Sequence, residues 1–574
     1  LKFFRGMTVL LAAAVLGLIL WGHFCTRTER NDTAVVSAEA YLPSELWNPV
    51  IVEECNTRGI TVEVDGSSLA GPQYPVYMSD ERTVMVSVRA AEAMFRCAAF
   101  FDSPDEFTIE KNEIRLTGSL ADKTIYSGQT AVADGLESEE KDGHVCISAE
   151  SLAKGMDYTY VWNGEENKLE LTEQKPEEDV LPSFYDYRQE GRAGVVKDQG
   201  ASGTCWADAT TTALETSLLP LETTEFAPDH VSLRNSFHVS PEDGGNYMMS
   251  MAYLTSWEGP VTEEEDPYGD GYSPEGLSAV KHVQEIRIID SGDRDGIKEA
   301  VYRYGGVESA LYFDLMNQYS SSAYYSRANN AYCYSGSEEA NHDIVIIGWD
   351  DDFPSSAFPV TVPGNGAFIC QNSWGTSFGD NGVFYVSYYD TVLGTDNIVY
   401  SLTENTDNYT NIYQSDRCGW IGQMGFDREE AEFANVYTAS GHEEVKAAGF
   451  YATKAGTQYE VSIVPEFTDT DSFDSMELAA EGTFDNAGYY TVPFNRPREI
   501  SAGSRFAVVV RIVSPGSLQP VAIEYQADEI SSAVDISDGE GYLSYDGSVW
   551  LQTETSQNCN VCLKAYTDPY LSEE

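Results

Sequence analysis

Positive charge is scarce in this 574-residue chain: 34 Lys and Arg face 93 Asp and Glu, a formal net charge of −59. Nucleic-acid binding wants a basic face that can displace condensed counterions, so the balance argues against it. It suits a secreted or surface protein that must stay soluble. Cysteine is sparse, ten residues in all, which excludes a scaffold built on disulfides. Cys559 and Cys562 form a single C-x-x-C. With no second pair for zinc and no helix after it for redox chemistry, the two read as strand residues near a terminus or as disulfide partners. Histidine is scarcer still, at positions 23, 144, 230, 238, 282, 342 and 442. His144 has no ligand cluster near it, and the run Asp350-Asp351-Asp352 lacks the spaced pattern of a calcium loop. No metal and no cofactor is expected. What the chain does have is 42% hydrophobic residues, enough for packed cores in about three or four domains.

Lys2 and Arg5 precede an apolar run over residues 7–24, and Arg27 and Arg30 follow it. The run is long for a signal-peptide core and just long enough to span a bilayer. No Ala-x-Ala site is evident. Residues 1–25 are therefore read as an uncleaved signal anchor, with a cleaved signal peptide as the alternative. A membrane-anchored protein with its bulk outside the cell is expected, or else a secreted one. Residues 26–59 read as a polar stalk. Residues 60–172 turn to short alternating strands with two helical runs, and they carry a weak repeat. Val84-Met-Val-Ser-Val-Arg-Ala-Ala matches Val145-Cys-Ile-Ser-Ala-Glu-Ser-Leu at an offset of 61, and Phe101-Asp102 matches Trp162-Asn163. Each unit reads strand, short helix, strand, turn, strand. This small α+β domain resembles the domain named after the N-terminal region of copper amine oxidases, a name that implies no copper here. Residues 173–180 form a charged linker, and 181–402 make the next domain. Residues 411–567 read as all β, with strands predicted near 445–451, 459–464, 489–494, 506–513, 521–525 and 560–566, spaced as in a sandwich.

The chemistry gathers in the middle domain. Gln199-Gly-Ala-Ser-Gly-Thr-Cys205-Trp206 is a glycine-rich turn that delivers one cysteine to the start of a helix, with Ala209, Leu214 and Leu218 at helical spacing. The positive end of a helix favours a thiolate, the nucleophilic form. A cysteine nucleophile needs a base, and the base needs an orienting group. His342 opens the apolar strand Asp343-Ile-Val-Ile-Ile-Gly348, a rigid platform for a base. Gly366-Ala-Phe-Ile-Cys-Gln-Asn372-Ser-Trp374-Gly delivers Asn372 at the end of a second strand. Asn372 can accept from one imidazole nitrogen and leave the other for the thiol. Trp374 is large enough to shield that bond from water.

Cys205, His342 and Asn372 stand in the order and spacing of papain-like cysteine peptidases, and the segment from Asn372 to Gly382 resembles that family's Asn-Ser-Trp-Gly motif. Asp186-Tyr-Arg188, Val196-Lys-Asp-Gln-Gly200 and Pro228-Asp-His-Val-Ser-Leu233 also resemble it. The resemblance implies an α+β fold. A two-lobed peptidase domain would follow the small α+β repeat domain and precede an all-β sandwich, similar to the lectin-like domain of a bacterial subgroup. It implies catalysis by Cys205, His342 and Asn372, with Gln199 completing an oxyanion hole beside the Cys205 N–H. Gly244, Gly245 and Trp374 would line the substrate cleft, Trp374 chiefly as a shield. The implied partners are protein or peptide substrates, a glycan or cell-wall contact through the sandwich, and a membrane through the N-terminal segment.

Two residues depart from the family. Ser202 replaces a cysteine usually held in a disulfide. Asp208 replaces a phenylalanine. Asp208 reads as a solvated residue of the first helical turn, the alternative being a charge that favours imidazolium and opposes the thiolate. Two rival functions follow from the same residues: a surface adhesin with a weak or inactive centre, and a transglutaminase-like acyltransferase. Asn372, where the latter uses an aspartate, argues against it.

Overall fold

The computed structural model describes residues 181–570 except Leu221, together with most of residues 60–173; residues 1–59, 174–180 and 571–574 lie outside the described residues. One expectation is corrected at the outset. Among the described residues no helix is long and apolar enough to cross a membrane. The anchor read at residues 7–24 falls outside them, so neither a membrane-spanning helix nor a membrane partner is carried forward.

Within 60–173, two strand–helix–strand units follow one another. Strand Val84–Ser87 runs into helix Val88–Phe95 and strand Ala98–Ser103. Strand His144–Ser148 runs into helix Ala149–Gly155 and strand Tyr158–Asn163. The first strands of the two units pair antiparallel, with Ile147 opposite Val86. Ser148 caps the second helix by accepting the Ser151 N–H, the usual use of serine at this position. Val88, Ala91, Met94 and Phe95 from one unit pack with Ala149, Leu152 and Ala153 from the other in a shared core. Neither half could bury its apolar face alone.

Residues from 181 to about 404 form two lobes. In the first, helix Cys205–Leu218 packs against helices Pro228–Leu233 and Tyr247–Thr255. The long helix has no Gly or Pro inside it and stops just before Pro220. It buries Trp206, Ala209, Ala213 and Leu214. The second lobe is a sheet. Strand His342–Asp350 lies between Val307–Leu311 and Ala367–Gln371, both antiparallel to it, and Val383–Ser387 pairs beyond the latter. Ile344 to Ile347 are buried on both faces, which is why that strand reads as an unbroken apolar run. The two lobes meet where the long helix begins and where two of these strands begin or end.

The C-terminal region is a sandwich of two large antiparallel sheets, with a further three-stranded sheet of Gly422–Met424, Val521–Glu524 and Asn560–Val561. Strand Arg505–Val513 sits inside one of the large sheets, between Thr457–Val464 and Glu430–Thr438. Its Phe506, Val508, Val510 and Ile512 enter the main core, while Ala507 and Val509 on its other face meet Phe467 and Phe473. Each of the larger side chains contributes about 2 kcal/mol through burial. The other sheet contains Ala487–Ile500, Glu443–Ala452 and Leu563–Pro569. It does not end at the domain edge. Strand His282–Ile288 pairs with Asn397–Glu404 on one side and with Ala487–Ile500 on the other. The strand lobe and the sandwich therefore share one continuous sheet of thirteen strands.

Candidate active site

Helix Cys205–Leu218 places Cys205 at its first position, where backbone N–H groups have no partner within the helix. The thiol is half-buried and faces the start of strand His342–Asp350, close enough for the Asp343 backbone to act on it. His342 is buried, and its Nε2 lies 2.7 Å from Asn372 Oδ1. Asn372 itself follows the strand Ala367–Gln371 and is buried. Its Oδ1 also accepts the Ser373 N–H at 2.9 Å, which fixes the amide with its oxygen toward the imidazole. The geometry gives Nε2 the proton and leaves Nδ1 free as a base.

The imidazole is enclosed by aromatic rings. Phe313 stacks on it at 5.2 Å with an interplanar angle of 9°, and Trp374 leans on it at 5.3 Å. Phe313 is held in turn by Asn341, whose Oδ1 accepts the Phe313 N–H at 2.7 Å. Phe313 and Trp374 thus both pack against the imidazole. No sequence motif marked Phe313; its role follows from a loop that the sheet folds back over the strand end.

Gln199 is oriented by three hydrogen bonds. Its backbone N–H donates to the Ser373 carbonyl at 2.8 Å, Oε1 accepts from Ser373 Oγ at 2.7 Å, and Nε2 donates to the Ser202 carbonyl at 2.8 Å. The amide N–H₂ therefore sits on the side of the nucleophile's turn, with a second N–H to spare. Gly244 and Gly245 also come to this turn. Gly244 has a φ of +82°, and a Cβ on Gly245 would fall 2.4 Å from the Trp206 ring. Only glycine lets this stretch lie so close beside the helix that carries the thiol. The Gly203 N–H donates to the Pro241 carbonyl at 2.9 Å, so a backbone bond closes the turn where Ser202 replaces a bridging cysteine.

The electrostatics differ from the expectation. Burial pushes the Cys205 thiol up to about 12, with the nearby Asp343 and Asp208 carboxylates adding to it and the Asp343 backbone opposing. Burial holds the His342 imidazole down to about 4 against the favourable Asn372 bond. Desolvation outweighs the helix N-terminus here, so burial disfavours the charged form of each group. Asp208 is corrected too: it is 1% exposed, not solvated. It projects inward, where Thr204 Oγ1 donates to its Oδ2 at 3.1 Å. Burial raises it to about 8, the Lys197 charge and the Thr204 bond opposing. It is largely neutral at pH 7 and withholds most of its charge from the thiol.

That buried acid gives a stability prediction. Its native pKa is raised above the unfolded value, so the native state binds the proton more tightly. Its effect is neutral below the ordinary carboxylate range. It grows destabilising as pH rises through that range and stops growing above about 8. Asp208→Asn is expected to flatten the fall of Tm between pH 5 and pH 9, with the gain at the alkaline end, as read by calorimetry across that range. An unchanged slope would place the acid in water.

Comparison with known proteins bears on the fold that carries these residues. Residues 181–401 match the family described as papain family cysteine protease, and residues 412–567 match that described as lectin like domain. Oryzain gamma chain from Oryza sativa subsp. japonica is 29% identical over 235 residues, which cover 38% of this chain and 58% of that protein. Pro-cathepsin H from Mus musculus is 27% identical over 231 residues, 37% of this chain and 62% of that one. The chain thus spans about three fifths of the length of these curated relatives. A solved structure of the cysteine protease and lectin-like domains of Cwp84, a surface layer associated protein of Clostridium difficile, aligns over 68% of this chain and 89% of its own. The TM-score is 0.59 at 24% identity. A second Cwp84 structure, taken after propeptide cleavage, covers the same 68% of this chain and all of its own, at 0.60 and 23%. At such identities the likeness is one of fold: a two-lobed papain-like domain followed by a lectin-like sandwich.

Proposed function

We propose that this chain, whose residues 181–401 belong to the papain family of cysteine proteases, is a surface or secreted endopeptidase that cleaves peptide bonds through Cys205, His342 and Asn372. The observation that carries the reading is the 2.7 Å bond from His342 Nε2 to Asn372 Oδ1 beside the first turn of the Cys205 helix. In the reaction, His342 Nδ1 takes the thiol proton as Sγ attacks the scissile carbonyl. Cost is limited because the proton moves within the pair and leaves opposite charges close together in a poorly solvated site. The oxyanion is met by the Cys205 N–H and the spare Gln199 Nε2 N–H. His342 then protonates the leaving amine, and water releases the acyl group from sulfur. Asn372 holds the ring throughout, and substrate backbone runs past Gly244 and Gly245.

The sandwich is read as a contact to a glycan or cell-wall surface, supported by its match to a lectin-like description. Residues 60–172 are read as a spacer domain of the copper-amine-oxidase N-terminal type, supported by the paired units at Val88 and Ala149.

The test is to expose the full chain to a thiol-directed epoxide inhibitor, map the adduct by mass spectrometry, and follow hydrolysis of a generic peptide. One adduct on Cys205 is expected, with hydrolysis lost in proportion. Cys333, Cys370, Cys418, Cys559 and Cys562 are buried, whereas Cys205 keeps part of its surface exposed. Hydrolysis that continues after Cys205 is fully labelled would sink the reading.

A further inference from the structure

Between the long helix and the two site strands lies a cavity of about 10 Å³, lined among others by Asp208, Asp343, Asn372 and Ser373. That volume is about what a single water requires. Two of its lining residues carry a buried polar atom without a hydrogen-bond partner: Asp208 Oδ1, an acceptor, and Asn372 Nδ2, a donor. Asp208 is 1% exposed and Asn372 2%, so bulk water does not serve either atom. An unmet buried donor or acceptor costs about 1–3 kcal/mol. One water placed between them satisfies both. A phenylalanine at position 208 would occupy this space with its ring. Aspartate is smaller and leaves room for the water.

We infer that Asp208 is a positioning residue, acting on Asn372 through one water held in this cavity. The contact runs from Asp208 Oδ1 to the water, from the water to Asn372 Nδ2, and through the amide to Asn372 Oδ1, which holds His342 Nε2. It locks the amide from the side opposite the imidazole. Thr204 keeps the carboxyl in place by donating to Oδ2. A water can donate to an ionised Oδ1 or accept from a protonated one, so the contact does not depend on ionisation. Lys197, Asp229 and Glu263 act on Asp208 electrostatically and are no part of the relay. The inference rests on the peptidase reading and adds to it a member that no papain-family motif contains.

Two substitutions in the full chain test it. Asp208→Asn keeps an oxygen at this place, whereas Asp208→Leu keeps the size and loses the acceptor. Both remove a buried acid, so both are expected to raise Tm at alkaline pH. Only Asp208→Leu is expected to lower kcat, by about tenfold, with KM unchanged. A side chain that served stability alone would not separate the two. A crystal structure of the wild-type chain is expected to hold one water within hydrogen-bond distance of Asp208 Oδ1 and Asn372 Nδ2, and the Asp208→Leu structure to lack it. A wild-type kcat in Asp208→Leu, an Asp208→Asn as slow as Asp208→Leu, or no water at this place overturns the inference. If the wild-type chain neither hydrolyses peptides nor takes the epoxide at Cys205, the peptidase reading fails, and the crystallographic water still decides the contact.

Discussion

Cys205→Ala is expected to lower kcat/KM for a peptide substrate by about 10⁴-fold or more while leaving the fold intact. The substitution removes only Sγ from a half-buried side chain at the first position of a helix, a place where alanine is favourable. Gln199, His342 and Asn372 keep their bonds to one another and to Ser373. What remains is a site that can bind and polarise a carbonyl but has nothing to form an acyl bond. No other thiol can take over, because the remaining cysteines of this region are buried. Steady-state kinetics with matched circular dichroism melts read both halves of the expectation. A tenth of the wild-type rate in a well-folded variant would mean that the nucleophile lies elsewhere.

Gly488→Ala is expected to lower the melting temperature of the peptidase–sandwich unit by roughly 5 °C and to separate the unfolding of the two domains relative to the wild type, as read by calorimetry. Gly488 stands opposite Arg287 on the seam between the two domains. Its φ is +146°, and a Cβ there would sit 1.9 Å from the Ile286 carbonyl oxygen. Backbone strain at such a position costs about 1–3 kcal/mol before the clash is counted. The clash falls on the ladder itself, so the strand must move away from His282–Ile288. The seam joins the two cores through hydrogen bonds from Glu285 to Ile288, and the Thr491 hydroxyl donates to Gln284 Oε1 across it. Opening it removes the sheet continuity that couples the two cores. A variant that melts as the wild type does would show that the seam carries no stability.

Much of the site was legible in the chain because its chemistry is written locally. A glycine-rich turn into a helix, a histidine opening an apolar run and an asparagine before tryptophan each report a position at the end of an element. The sandwich strands were visible for the same reason, since alternation and turn residues act over a few positions. Strand Glu430–Thr438 escapes this reading because it is buried on both faces yet carries Glu432 and Asn435, which break the apolar pattern. The misreadings share a different cause. Asp208 looked solvated because an acid in a first helical turn usually is; its burial follows from strands more than a hundred residues downstream. Phe313 covers His342 through a loop whose path the sheet sets. The seam pairs residues near 286 with residues near 489, and no local pattern encodes a partner that distant. The sandwich also reaches the nucleophile's side of the cleft. His238 donates its N–H to the Ile530 carbonyl at 2.8 Å, three residues before the Pro241 that closes the Gly203 turn.

That Gly203–Pro241 hydrogen bond has a consequence for oxidation. A cysteine nucleophile works only while its sulfur is reduced, and an exposed one is converted reversibly to a sulfenic acid. Where a disulfide braces the neighbouring turn, the thiols that restore the nucleophile can also attack the brace. Here the turn is closed by an amide and a carbonyl, and the six cysteines from residue 181 onward are all free thiols. A reductant that recovers Cys205 has no covalent cross-link to cut in either the peptidase domain or the sandwich. The reactive sulfur can cycle between oxidised and reduced states while the scaffold that holds it stays the same.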